Sequence, residues 1–153
     1  MLADNEKGNL LPEQVESAQI IHNSGSDLLN LINQILDLSK VEAGKMDFHI
    51  APMPLSNLVE TMRAQFAPVA EDKQLDFEIT LADSLPKTIQ TDQQRVEQIV
   101  KNLLSNAFKF TESGRVHLRL YQPEPDADLS RGGLDPAQAV GISVSDTGIG
   151  ITP

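Results

Sequence analysis

A helical pattern runs unbroken from Pro12-Glu13 to Gly44, and its length limits every architecture open to this chain. Proline suits the first turn of a helix, where its missing N–H has no intrahelical partner to lose. Gly44 suits the C-terminal cap. At about 1.5 Å per residue such a helix is close to 50 Å long. That is too long for the core of a small globular domain. A chain of 153 residues with this pattern has to divide into a projecting helix and one modest core. Two apolar stripes interleave along the helix. One is Val15, Ala18, His22, Gly25, Leu29, Ile32 and Leu36; the other is Ile21, Leu28, Leu31, Ile35 and Leu38. Asn30, Asn33, Gln34 and Asp37 hold the opposite face. A face this wide suits a helix that touches two neighbours, as in a four-helix bundle, where a two-stranded seam is narrower. Gly25 costs about 1 kcal/mol relative to Ala. Close helix approach and a tolerated surface glycine both account for it.

The rest of the chain changes period. Met46 to Ile50 reads as a short extended piece, followed by Pro52 and Pro54. A second helix follows, capped by Ser56. Leu58, Val59, Met62, Phe66 and Val69 form its inner face, and Pro68 is expected to kink or end it. Leu75, Phe77, Ile79 and Leu81 alternate with polar residues, the mark of a strand with one buried face. Lys87 to Thr91 is a further strand. Asp92 is a good N-cap for a third helix reaching Phe110. Arg115 to Tyr121 and Val140 to Asp146 are strands. Pro123 to Ala139, rich in Pro, Asp and Gly, is the long loop between them. The expected fold class is α+β: a long helix, then helices layered on a mixed sheet.

Charge and composition narrow the partners. With 22 acids against 12 bases the net charge is -10, which argues against nucleic acid or an anionic membrane surface. The chain has no cysteine, so disulfides and Cys-ligated zinc are excluded. No apolar run approaches the roughly 20 residues of a membrane span, and no signal peptide opens the sequence. The expectation is a cytoplasmic chain with no direct membrane contact, which leaves open a membrane anchor elsewhere in a longer parent.

Two segments carry chemistry. On the third helix Asn102, Asn106 and Lys109 recur at spacings of four and three, so they form one row. Val96, Ile99, Val100, Leu103, Leu104 and Ala107 form an adjoining apolar face about 150° wide. Asparagine is a poor helix former because its amide competes for backbone bonds. Its oxygen can complete a shell of water and phosphate oxygens around Mg²⁺, and Lys109 offers a phosphate a point charge. A plain polar helix edge explains the spacing equally well. The second segment is Asp146-Thr147-Gly148-Ile149-Gly150, a strand-to-turn transition. Its glycines permit positive φ and close backbone approach, and its carboxylate can accept a bond from an exocyclic amine such as that of adenine. Asp and Gly also fill many ordinary turns. It is not a P-loop, since no Lys-Ser or Lys-Thr follows.

Taken together, these segments resemble a known family. Asn102-Leu103-Leu104-Ser105-Asn106-Ala107-Phe108-Lys109-Phe110-Thr111 looks like the N box of sensor histidine kinases, and Asp146 to Gly150 like their first glycine box. Leu31 to Lys45 resembles the end of the second helix of their dimerisation domain. Asp92 to Gln98, with Arg95 and Gln98, fits the approach to the N box. The match covers nearly the whole chain in the right order.

The resemblance implies residues 1–45 as part of a dimerisation domain. It implies residues 46–153 as a Bergerat-type ATP-binding domain, truncated after the first glycine box. By the same resemblance Asn106 corresponds to the Mg²⁺-coordinating asparagine, and Asn102 and Lys109 to nucleotide or phosphate contacts. Phe110 corresponds to the aromatic position beside adenine, with a core phenylalanine an equal reading. Asp146 corresponds to the adenine-binding acid, and Gly148 and Gly150 shape its turn. The cofactors implied are ATP and Mg²⁺. The partners implied are a second copy through the long helix and, for the parent, a response-regulator receiver. The family's phospho-accepting histidine motif has no counterpart at His22, His49 or His117, so no catalytic residue is assigned. The later glycine-rich box and the lid are also without counterpart, and the chain alone is expected to be inactive. The expected function is that of a histidine-kinase fragment. Its rival is a non-catalytic dimerisation or scaffold module derived from such a kinase. A chaperone- or topoisomerase-type ATPase would carry a glutamate where Asn102 stands.

Overall fold

The computed structural model describes residues 11–44, 47–125, 127, 129, 132, 135–136 and 139–150; at 27, 30, 33, 34, 37 and 38 it describes the backbone alone. The chain divides into two compact units, Met1–Phe48 and His49–Pro153.

The first unit contains α1, Pro12–Glu42. At its start the side-chain oxygen Oε1 of Gln14 accepts the Leu11 N–H at 2.9 Å. The hydroxyls of Ser17, Ser26 and Ser39 each donate to the carbonyl four residues earlier, so these polar groups are satisfied without leaving the helix. The helix ends two residues before Gly44, with Ala43 as its cap. Ile21, Leu28, Leu29, Leu31, Ile32, Ile35 and Leu36 are all exposed. The side chains of Asn30, Asn33, Gln34, Asp37 and Leu38, which complete the expected pattern, lie outside the described residues.

The second unit runs β1 (Ala51–Pro54), α2 (Leu55–Lys73), β2 (Asp76–Leu81), β3 (Thr88–Thr91), α3 (Gln93–Phe110), β4 (Arg115–Tyr121) and β5 (Gly141–Asp146). β1 and β3 form an antiparallel pair with Met53 opposite Ile89. The larger sheet is ordered β2-β4-β5 and is mixed. β2 and β4 are parallel, with Phe77 opposite Val116, while β4 and β5 are antiparallel, with Val116 opposite Asp146. A parallel pair needs a long crossover, and here β3 and α3 supply it. Alternation along β4 puts Val116, Leu118 and Leu120 on one buried face. Against them pack Leu58, Met62, Phe66 and Ala70 of α2 and Val100, Leu104, Ala107 and Phe108 of α3. Phe108 stacks on Phe66 with ring centroids 5.6 Å apart. It meets Phe77 edge-on at 5.2 Å, so one side chain joins both helices to the sheet.

Several local expectations are corrected. The strand forms later, at Ala51–Pro54 with both prolines inside it, and not at 47–50; Met46 lies outside the described residues. Proline is tolerated there because β1 pairs on one side only. Ser56 is not the cap of α2; Pro54 precedes the helix, and no side chain caps it. Pro68 neither ends nor breaks α2, which continues to Lys73. Buried contacts on either side, Phe66 and Ala70, outweigh the lost backbone bond. On α3, Ile99 and Leu103 are not core residues: they are 59% and 43% exposed, and Phe108 takes the buried position instead. The third helix itself keeps its expected limits, with Asp92 as its N-cap.

Candidate functional site

α3 is fixed at both ends. The Asp92 carboxylate accepts the backbone N–H of His49 at 3.0 Å and that of Arg95 at 3.1 Å. These two donors, the His49 bond foremost, hold its carboxyl below the ordinary value of 3.8. At the other end the Lys73 ammonium donates to the Phe108 carbonyl. A cation there also complements the negative end of the helix dipole. The Phe110 carbonyl accepts the Ile149 N–H at 3.3 Å. The turn of helix bearing Asn106 and Lys109 is thereby tied to α2 and to the segment after β5.

That segment is shaped by its acid and its glycines. The Gly148 N–H donates to Asp146 Oδ1 at 2.9 Å. One carboxylate oxygen is so held in place, and the other is left for a further donor. A Cβ at Gly148 would lie 2.3 Å from the Phe110 carbonyl oxygen. The close approach that requires glycine here is therefore to the end of α3. Gly150 has φ +68 with open space around it, so its requirement is conformational.

Between α3 and β5 lies a cavity of about 490 Å³. Leu103, Ala107, Phe110, Val144 and Ile149 form its apolar walls, and Asn106, Asp146 and Gly150 complete it. Of the residues singled out in the sequence, Asn106, Phe110, Asp146 and Gly150 meet here. Asn102, Lys109 and Gly148 do not line it. Asn102 is exposed one turn before Asn106. The Lys109 ammonium stands 5.4 Å from the Phe110 ring centroid, close to the cavity wall. Leu103, Ala107, Val144 and Ile149 are wall residues to which the sequence reading assigned no role in the site. A signal was present for Leu103: it lies three residues before Asn106, on the same side of α3.

Residues 91–153 match the family described as "Histidine kinase-, DNA gyrase B-, and HSP90-like ATPase". The sensor histidine kinase GacS of Pseudomonas protegens is 35% identical over 147 residues, 96% of this chain and 15% of that protein. The signal transduction histidine-protein kinase BarA of Escherichia coli is 32% identical over 145 residues, 95% of this chain and 15% of that protein. The chain is homologous to the catalytic ATPase region of sensor histidine kinases. It spans about 15% of the length of these relatives. The solved structure of full-length ShkA in complex with AMPPNP superposes with a TM-score of 0.71 at 28% identity, over 99% of this chain and 29% of that one. The histidine kinase AdeS of Acinetobacter baumannii shares the fold at a TM-score of 0.71 and 18% identity, over 95% of this chain and 64% of that one. The helices layered on a mixed sheet are thus those of the histidine-kinase ATPase fold. No helix among the described residues is long and apolar enough to cross a membrane.

Proposed function

We propose that the cavity between α3 and β5 binds ATP with Mg²⁺, and that the longer protein uses it to phosphorylate a histidine. One observation carries this reading: Asn106, Phe110, Asp146 and Gly150, from segments some forty residues apart, border one cavity. Its chemistry fits the group. Apolar walls suit a purine ring, and the second oxygen of Asp146 suits the exocyclic amine of adenine. Asn106 lies on α3 beside Lys109, so an amide oxygen and an ammonium fall on the side that the phosphates would take. Asn102, one turn earlier, offers a second amide. Mg²⁺, when bound, neutralises charge on the phosphate oxygens, and Asn106 is the residue that would hold it. The complex of ShkA with AMPPNP supports the nucleotide reading.

In the longer protein the γ-phosphoryl group passes from ATP to a histidine nitrogen, leaving ADP, and a response-regulator receiver then takes it onto an aspartate. None of the three histidines here stands in the family's acceptor motif. His117 is paired with Thr80, with Nε2 and Oγ1 3.0 Å apart. The acceptor in this reading is a histidine outside these 153 residues. Self-association runs through α1, whose apolar side chains are exposed. That same exposure favours a second reading, a non-catalytic dimerisation or scaffold module, and would suit it without any nucleotide. Calorimetric titration with Mg-ATP separates the two. Binding that is weakened in both Asn106→Ala and Asp146→Asn supports the ATPase reading. Absence of binding by the unaltered chain supports the scaffold.

A further inference from the structure

We propose that Thr147 is a positioning residue for the nucleotide site: its hydroxyl locks the Asp146 turn onto the loop between α3 and β4. This rests on the nucleotide reading above. Thr147 is exposed and does not line the cavity, and a threonine on an exposed turn ordinarily gives its hydroxyl to water. Here Oγ1 donates to the Ser113 carbonyl at 3.1 Å and accepts the Arg115 N–H at 3.0 Å. The Thr147 N–H donates to the Arg115 carbonyl at 3.2 Å. One residue therefore makes three bonds to Ser113 in the loop and Arg115 at the start of β4, more than thirty residues away.

The loop is built to receive that hydroxyl. Gly114 has φ +102, and a Cβ there would lie 2.2 Å from Thr147 Oγ1. Any side chain at 114 would push the hydroxyl out, so Gly114 and Thr147 act as a fitted pair. The adjoining bonds give the pair its consequence. Gly148 N–H holds Asp146 Oδ1, and Ile149 N–H holds the Phe110 carbonyl. Thr147 fixes one end of the turn and Ile149 the other, and the Gly148 N–H between them holds the Asp146 carboxylate. Without the hydroxyl the Thr147 end keeps only the backbone bond from the Thr147 N–H to the Arg115 carbonyl. The carboxylate then has to be ordered against Asn106 and Phe110 at the moment of binding, and that ordering weakens affinity.

The test compares the full chain with Thr147→Val, Thr147→Ser and Asp146→Asn. Valine keeps the shape and removes the hydroxyl; serine keeps the hydroxyl and removes the methyl. Two measurements are made well below the melting temperature: calorimetric affinity for Mg-AMPPNP, and amide hydrogen exchange at Ile149 without nucleotide. Thr147→Val is expected to bind about tenfold more weakly, as the cost of ordering the turn on binding implies, and to exchange faster at Ile149. Thr147→Ser should restore both. If Thr147→Val does not fold, Gly114→Ala, which presses on the hydroxyl from the other side, should reproduce the weakened binding. Parent-like affinity in Thr147→Val alongside weakened Asp146→Asn overturns the lock and leaves the nucleotide reading standing. Parent-like affinity in Asp146→Asn overturns the nucleotide reading, and the exchange measurement then decides the lock alone: unchanged exchange at Ile149 in Thr147→Val overturns it.

Discussion

Two carboxylates in this chain do opposite kinds of work. Asp146 is exposed and has one oxygen tied to its own turn, so it is oriented yet still able to accept a donor. Asp146→Asn replaces an acceptor-only group by one that also donates, which mismatches an amine. A hydrogen bond to a charged group contributes about 1.5–3 kcal/mol, so adenine-nucleotide affinity should fall by roughly ten- to a hundredfold. The melting temperature should hardly move, and calorimetry beside thermal unfolding checks both. Asp92 is buried and spends its charge on the backbone N–H groups of His49 and Arg95. Its carboxyl is held below 3.8 in the folded chain. The stabilisation is therefore present above that value and is lost as pH falls through the lower, folded value. Near neutral pH the parent should be more stable than Asp92→Asn. Denaturant titrations below about pH 3.8 should show the gap closing.

Among the elements, α1 and α2 each break a local rule, and each exception has a tertiary meaning. Exposed apolar side chains on α1 each forfeit roughly 1.5–3 kcal/mol of burial. That exposure is the ground for the self-association proposed above. Sedimentation at micromolar concentration should find a dimer or larger species, and Ile32→Asp or Ile35→Asp should shift it towards monomer. A parent that sediments as monomer would remove the argument. α2 carries Pro68 inside the helix, at an exposed position. Proline at such a site costs about 3 kcal/mol relative to alanine, and the flanking burial of Phe66 and Ala70 outweighs it. Pro68→Ala should raise stability by about 1–3 kcal/mol, measured by urea unfolding, without altering nucleotide affinity.

For the whole molecule, the buried described residues lie between Met53 and Leu120, and Ile142 and Val144 of β5 pack against them, so one unit carries the site and its support together. Phe108 is the joint: it touches Phe66 of α2 and Phe77 of β2, and its carbonyl receives Lys73. It also lies two residues from Asn106 and Phe110. Phe108→Ala should cost about 3–5 kcal/mol and should lower melting and nucleotide affinity together. A thermal scan followed by a binding measurement on the same variant checks this. Loss of stability with parent-like affinity would mean that the cavity is held by its turn alone.

Local pattern was enough wherever a segment's conformation follows from its own residues. The span of α1 follows from its 3.6-residue period and its proline start. The limits of α3 follow from Asp92, which caps it, and from the end of its periodic run. The acid-glycine turn follows from glycines, which alone accept the positive φ at 150 and the close backbone approach at 148 without strain. These are also the segments that carry the family resemblance, so the relation to sensor histidine kinases was legible in the sequence. Burial was not, because it depends on which neighbour arrives. The wide apolar face of α3 is compatible with a fully covered helix, and the sequence alone could not divide it. In the fold, Val100, Leu104 and Ala107 meet the sheet, while Leu103 turns with Asn106 and Phe110 towards the cavity beside β5. The division into β1-β3 and β2-β4-β5, the tolerance of Pro68 and the Thr147–Gly114 fit are likewise contacts between distant residues. No local period encodes them, and only the packing of the whole unit decided them.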